Sequence, residues 1–103
     1  MPVPPTEVRN AARRALDARD KAPPSRKAMT AVGLARANQL KNGENLSIST
    51  IRRMFSYLSR ARANYLKAKE QGRKAEDSPA IQAYLGWGGS AGLAWARRIL
   101  NNL

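Results

Sequence analysis

Apolar residues recur along this chain at intervals of three and four, the spacing that places side chains on one face of an α-helix. The longest such run covers residues 48–71, with a predicted inward stripe of Ile51, Met54, Phe55, Leu58, Tyr65 and Leu66. Four shorter runs share this period and cover residues 6–20, 27–41, 78–85 and 90–101. No segment shows the strict alternation of a half-buried β-strand. The pattern predicts an all-α fold.

Side chains that can cap helices stand at the ends of these runs. Hydroxyl oxygens able to accept hydrogen bonds from first-turn N–H groups are present at Thr6, Ser25, Ser47 or Ser49, Ser78 and Ser90. Gly43 and Gly72 follow the second and third runs, where a left-handed residue commonly ends a helix. Because prolines restrict the backbone, residues 1–5 are expected to form an extended arm, with residues 6–103 as a single helical domain.

Alanine dominates the apolar content of the chain. Eighteen of its 103 residues are alanine, which favours helices because this side chain loses no rotamer freedom on ordering. Large apolar residues are fewer, and in the second run the predicted inward positions are Met29, Val32, Ala37 and Leu40. Small side chains let helix axes approach closely. We therefore expect a compact bundle of four to five helices with one long central helix.

The chain carries a large excess of positive charge. Nineteen lysines and arginines stand against seven acidic residues, which leaves a net charge of +12. A charge of this size on a short chain points to a polyanionic partner. Nucleic acid is the first candidate, DNA before RNA, and an acidic protein surface is the alternative. Charge that serves only to keep the protein in solution would also give this composition.

Several kinds of chemistry lack their usual residues. The sequence has no cysteine and no histidine, which removes thiolate ligands, the commonest general base and the commonest transition-metal ligand. The only adjacent carboxylates, Glu76 and Asp77, lie in an expected surface loop. We therefore expect no catalytic residues, no metal site, no cofactor and no enzymatic activity. No apolar run approaches the roughly eighteen residues of a membrane-spanning helix, so no membrane partner is expected.

The long run also carries a basic stripe. Arg53, Arg60 and Lys67 recur every seven residues and therefore share one side of the helix. Beside them, Arg52 stands among small polar residues that would let a phosphate backbone approach. Further basic residues lie in the first and last runs. The candidate nucleic-acid-binding residues are Arg52, Arg53, Arg60, Arg62, Lys67, Arg9, Arg13, Arg97 and Arg98.

Other interpretations of these residues stay open. The basic stripe can be an ordinary solvated helix face. A helix-turn-helix motif is disfavoured, because the connector of residues 42–47 is longer than the roughly three or four residues of such a turn. Few Asn or Gln side chains line the stripe, so we expect sequence-independent phosphate contact with steep salt dependence. Tyr57, Tyr65 and Tyr84 can either stack on bases or fill the edge of the core.

Residues 84–95, YLGWGGSAGLAW, combine four glycines with two tryptophans. Backbone N–H groups ahead of a helix can attract an anion, but the preceding strand and the Gly-Lys-Ser/Thr ending of a phosphate-binding loop are missing. The stretch fits better as a tight turn between two helices, in which glycines make room for the rings of Trp87 and Trp95. We favour this packing interpretation.

Three segments carry a further signal: VGLARA at residues 32–37, LSISTIRRMFSYL at 46–58, and LGWGGSAGLAWA at 85–96. In this order they resemble a small helical module of tailed bacteriophages, over residues 25–100. The module is often attached to head-maturation proteases or other head-assembly proteins. The resemblance implies a location in the virion or the host cytoplasm and phage head proteins as partners. It also implies the alternative function of a head-assembly or structural protein acting through protein–protein contacts.

This chain departs from the module at two places. One is the tryptophan of the glycine-rich ending, which here follows a glycine, as Leu85-Gly86-Trp87. The module usually has an Arg-His pair late in its long helix, often followed by an acidic residue, and here residues 59–61 are SRA. Chemistry that depended on that histidine would be absent. The resemblance therefore implies a phage setting more than an activity, and the residues themselves predict a non-enzymatic, basic, nucleic-acid-binding protein.

Overall fold

The structure, a computed structural model that describes residues 2–103, consists of helices and their connections. Within this range the chain forms five α-helices and two single-turn 3-10 helices, and no strand. The α-helices are α1 (Thr6–Lys21), α2 (Ala31–Lys41), α3 (Ile48–Glu70), α4 (Pro79–Gly86) and α5 (Gly89–Asn101). The 3-10 helices cover Pro24–Arg26 and Ala75–Asp77. The predicted all-α bundle with one long helix is confirmed, and none of the described helices is long and apolar enough to cross a membrane.

The short helix α4 has neighbours on most of its sides. It packs against α1, α2, α3 and α5, while α3 rests mainly on α5 and α4. The face that α1 buries is built from small side chains, Ala11, Ala12 and Ala15 together with Val8. A Cβ on Gly86 would lie 3.7 Å from the Cβ of Ala15, which is the close approach of helices that the alanine content predicts. Because α3 has partners on one side only, its opposite side along most of its length faces solvent.

Side-chain caps form at three helix starts. Ser47 Oγ accepts from Thr50 N at 3.1 Å, and Ser78 Oγ accepts from Ile81 N at 3.2 Å. Both caps confirm the prediction from sequence. The prediction for α2 is wrong: Ser25 lies in a 3-10 helix, and Thr30 caps α2 by accepting from Gly33 N at 3.2 Å. The Pro-Pro-Ser segment forms its own single turn before the chain can enter α2.

The two predicted caps at Thr6 and Ser90 are also wrong. Both residues lie inside helices, whose cap positions are Pro5 and Gly88. The oxygen of Ser90 instead lies 3.0 Å from the phenolic oxygen of Tyr84. Ahead of α1, residues 2–5 have no regular secondary structure, and the carbonyl of Pro2 accepts a hydrogen bond from Leu46 N at 2.9 Å.

Two predicted core residues lie at the surface. Val32 is 55% exposed and Leu66 is 43% exposed. In α2 the buried face runs through Gly33, Ala37 and Leu40, which Val32 does not share. In α3 the half-buried side is continued by Tyr65, and Leu66 follows about 100° further around the helix. The three-and-four spacing was therefore right for the elements and wrong for these two positions.

The glycine-rich turn between α4 and α5 packs closely, as predicted, but the atoms nearest its glycines do not belong to the rings of Trp87 and Trp95. Gly88 and Gly89 have φ angles of +112° and +64°, a region that side chains with a Cβ rarely adopt. A Cβ on Gly88 would lie 3.1 Å from Gly92 Cα, and one on Gly86 would lie 2.6 Å from the sulfur of Met29. The turn brings Trp87 to the edge of α3, and this placement creates the site described next.

Candidate nucleic-acid interface

A groove runs along the solvent side of α3. Its volume is about 520 Å³, and it is lined by Ser49, Arg52, Arg53, Ser56, Tyr57, Arg60 and Trp87. All but Trp87 come from α3, at helical spacings that put them on neighbouring positions of one face. Arg36 of α2 does not line the groove but lies next to it, with its guanidinium carbon near the ring of Trp87. The groove thus combines guanidinium groups, small hydroxyls and two aromatic rings.

The aromatic part of the groove is a stacked pair. The rings of Tyr57 and Trp87 have centroids 4.7 Å apart and planes inclined by 23°. Trp87 is only 9% exposed and belongs to the apolar core, whereas Tyr57 is half-buried. Burial raises the pKa of the Tyr57 phenol, and the nearby charge of Arg60 opposes that shift less strongly. Tyr57 is therefore an uncharged ring, and one of its faces packs against the ring of Trp87.

Arg36 occupies an unfavourable position for a cation. Its guanidinium carbon lies 5.5 Å from the centroid of the Trp87 ring, and one terminal nitrogen donates to Gln39 Oε1. Its Nε is buried without a hydrogen-bond partner. Burial lowers the pKa of Arg36, and the positive charge of Arg53 lowers it further. Two guanidinium groups are thus held close enough to repel each other.

No acidic side chain lines the groove. Over the described part of the chain, arginine side chains donate only to backbone carbonyl oxygens and to amide oxygens of Asn or Gln, never to a carboxylate. The positive charges of Arg36, Arg52, Arg53 and Arg60 are therefore not neutralised by hydrogen-bonded acidic partners. The surface they form carries an unbalanced positive field.

The predicted binding residues divide between this groove and other places. Arg52, Arg53 and Arg60 line the groove together. Lys67 lies further along the same helix and lines a separate depression with Asn64, Gln71 and Arg73. Of the three basic residues spaced seven apart, Arg53 and Arg60 therefore line the groove and Lys67 lies outside it.

The remaining predicted residues are not brought into the groove. Arg9 donates to the carbonyl of Lys41 at 3.4 Å and lies near Gly43, so it holds the end of α2. Arg13 donates to Asn10 Oδ1 at 3.1 Å. The guanidinium carbon of Arg97 lies 6.0 Å from the ring centroid of Phe55. Arg62 and Arg98 are exposed and do not line the groove.

Three contributors to this region escaped the prediction from sequence. Arg36 lies in the apolar-looking VGLARA segment, Trp87 was assigned only a packing role, and Ser49 was considered only as a cap. A signal for Arg36 exists, because it follows Gly33 by three residues and so shares a side of α2 with a buried position. A charged residue beside a buried position calls for a partner, and here that partner is an indole ring. Nothing in the sequence indicates that Arg36 lies near α3.

The three tyrosines separate into different roles. Tyr84 is fully buried, and Tyr65 stacks on it at a centroid distance of 4.2 Å. These two rings fill the core and its edge. Tyr57 alone among them lines the basic groove. The open choice between core and base stacking is thus decided only for Tyr84, because Tyr57 and Tyr65 are half-buried and each lines a basic depression.

A second basic depression, of about 460 Å³, lies where α1, α4 and the end of α3 meet. Its basic side chains are Arg14, Lys69, Arg73 and Lys74. Tyr65, Ile81 and Leu85 give it an apolar wall. The sequence separates Arg14 from the others by more than fifty positions, so only the fold shows that they are neighbours.

Candidate metal ligands do not assemble in the described part of the chain. In residues 2–103, no group of three or more acidic side chains lies close enough together to hold a metal ion. Comparison of the chain with protein-family models, characterised proteins and solved structures gave no match. The geometry of the groove therefore carries the functional argument by itself.

Proposed function

We propose that this protein is a non-enzymatic nucleic-acid-binding protein that contacts phosphate groups, largely without regard to sequence, through the arginine-lined groove of α3. The observation that carries the proposal is the clustering of Arg36, Arg52, Arg53 and Arg60 without a carboxylate among them. Like charges held together repel, and the repulsion is relieved when an anion enters. A phosphate chain supplies several such anions at once.

The spacing of the arginines suits a chain of phosphates better than a single one. Arg53 and Arg60 are seven residues apart on one helix face, about 10.5 Å along its axis. This separation lets two guanidinium groups contact different phosphates. Ser49 and Ser56 add hydroxyl donors of the kind that commonly bind phosphate oxygens. No Asn or Gln side chain lines the groove, which favours sequence-independent contact.

The test is a double charge reversal in the groove with a matched control outside it. Arg53→Glu with Arg60→Glu is compared with Arg13→Glu and Arg98→Glu, which change the net charge equally. Each phosphate contact contributes about 0.7–0.9 to the slope of log K against log[salt]. If that contribution vanishes at 1 M salt, the loss of one contact lowers log K by about 0.7–0.9 at 0.1 M salt. The groove variant should therefore bind at least ~25-fold more weakly, and the control only a few-fold more weakly.

Binding is measured by mobility shift and fluorescence anisotropy with unrelated DNA and RNA fragments at two salt concentrations. The wild-type protein should bind at low salt and weaken steeply at high salt. The groove variant should also show a smaller salt slope, while circular dichroism confirms its helicity. No binding at low salt, or an equal loss in both variants, would contradict the proposal.

A head-assembly role through protein–protein contacts is a second candidate. The lining of the groove favours it, because arginine, tyrosine and tryptophan are enriched at protein interfaces. In this case the groove would receive an acidic protein surface. Presence of the protein in purified particles, together with failure to bind DNA or RNA, would support this candidate instead.

A further inference from the structure

The groove has a feature that phosphate binding does not require. Its wall includes the stacked rings of Tyr57 and Trp87, and uncharged aromatic surface adds nothing to contact with phosphates. Tyr57 is half-buried and lines the groove, so part of its ring is open to an incoming group. Flat aromatic rings gain free energy by stacking on one another. The arrangement calls for a ligand that is both anionic and aromatic.

Nucleic acids differ in whether they can supply such a ring. In a duplex the faces of the bases are covered by their neighbours, and only the phosphate backbone and base edges are accessible. An unpaired strand can turn a base out and stack it on an aromatic side chain. The groove volume of about 520 Å³ lies within the usual range of small-molecule sites, about 300–1,000 Å³. One nucleotide with its flanking phosphates is a ligand of this kind.

We infer that the groove is a single-strand site, in which an unpaired base stacks on Tyr57 while Arg53 and Arg60 hold the phosphates on either side. Trp87 is a positioning residue, because its ring stacks on that of Tyr57 and holds it in the groove. Arg36, whose guanidinium carbon lies 5.5 Å from the centroid of the Trp87 ring, adds positive charge next to the stacked pair. This inference rests on the proposed function and names the form of nucleic acid that the site prefers.

The decisive comparison uses the wild-type protein and three ligands of equal length: oligo(dT), an abasic strand with the same phosphates, and a duplex. Stacking of one base contributes about 1–3 kcal/mol, which corresponds to about 5–150-fold in Kd. Oligo(dT) should therefore bind about 5–150-fold more tightly than the abasic strand. It should also bind more tightly than the duplex at equal phosphate concentration.

Substitution at Tyr57 locates the effect. Tyr57→Leu should lose the advantage of oligo(dT) and leave binding of the abasic strand unchanged. Tyr65→Leu is the matched control, because Tyr65 is also half-buried and also stacked, but lies outside the groove. This variant should keep the advantage. Tyr57→Phe retains a ring and should keep it as well.

The possible outcomes separate the two proposals. If the wild-type protein binds none of the three ligands, the proposed function fails and this inference fails with it. If it binds all three equally, the proposed function stands and the single-strand inference is overturned. An equal loss of oligo(dT) and abasic binding in Tyr57→Leu overturns stacking on Tyr57. If that variant does not fold, the wild-type comparison of oligo(dT) with the abasic strand decides.

Discussion

Replacing Gly88 by alanine tests whether the turn that positions Trp87 is held by close packing. Gly88 has φ +112°, and an alanine there must adopt a left-handed backbone conformation, which costs about 1–2 kcal/mol. Its Cβ would also lie 3.1 Å from Gly92 Cα and 3.1 Å from a methyl group of Val8. Overpacking of this kind costs about 1–3 kcal/mol. The total expected loss is about 2–5 kcal/mol.

Gly72 is the matched control for the backbone cost. It has φ +72°, and a Cβ on it would meet nothing within 4 Å. Gly72→Ala should therefore lose only the backbone part, about 1–2 kcal/mol. The difference between the two variants contains the steric contribution together with the extra backbone strain of the larger φ at Gly88. For a domain of this size each kcal/mol corresponds to about 4–8 °C in Tm, so Gly88→Ala should melt at least ~4 °C below Gly72→Ala.

The measurement is thermal unfolding of both variants by circular dichroism, with urea unfolding as a second estimate of the free energy difference. Tryptophan emission should change in Gly88→Ala and not in Gly72→Ala, because Trp87 adjoins only the first site. Equal decreases in Tm would refute the reasoning. They would mean that helix α5 shifts to accommodate the Cβ, and that the turn does not fix Trp87 against Tyr57.

Two further predictions concern buried polar groups. Gln82 is fully buried, and its side chain accepts from Ala28 N and donates to the carbonyls of Arg26 and Ala75. Gln82→Met would leave these three backbone groups without a partner and should lower the free energy of unfolding, measured in urea, by about 2–4 kcal/mol. The control Gln71→Met changes an exposed side chain and should have little effect. The raised pKa of Tyr57 predicts a pH dependence. The folded protein holds the phenol proton more tightly than the unfolded chain, so this contribution to stability is complete below about pH 10 and is lost as the pH rises through the folded pKa. Tm above pH 10 should accordingly fall more steeply in the wild-type protein than in Tyr57→Phe, and parallel curves would contradict the assignment.

Local patterns in the sequence were sufficient to predict the helices and part of the site. The spacing of Ile51, Met54 and Leu58 fixes the buried side of α3, and the same geometry places Arg53 and Arg60 on the opposite side. Both predictions use residues of one helix, so no knowledge of the tertiary fold is needed. Where the chain left regular structure the predictions failed, as at Ser25, because the Pro-Pro segment forms a separate turn.

The aromatic half of the groove could not be predicted, because its parts come from three elements. Tyr57 belongs to α3, Trp87 to the turn after α4, and Arg36 to α2. Their meeting depends on how closely α4 packs against α1, where a Cβ on Gly86 would lie 3.7 Å from the Cβ of Ala15. A periodic pattern describes one helix at a time and does not show which residues of different helices come into contact. The same reason explains why the cluster around Arg14 was not foreseen.

Arg36 distinguishes a binding surface from a solvated helix face more sharply than the exposed arginines do. In a structural role its removal should lower stability and leave binding intact. The unpartnered Nε and the repulsion from Arg53 destabilise Arg36, whereas its hydrogen bond to Gln39 and its contact with the Trp87 ring stabilise it. These contributions oppose each other, so Arg36→Met should change the free energy of unfolding by less than about 1 kcal/mol. Loss of one phosphate contact should weaken nucleic-acid binding by about 5–8-fold at 0.1 M salt. Weaker binding with a nearly unchanged free energy of unfolding would show that this guanidinium contacts the ligand, and a loss of stability with unchanged binding would show that its role is structural.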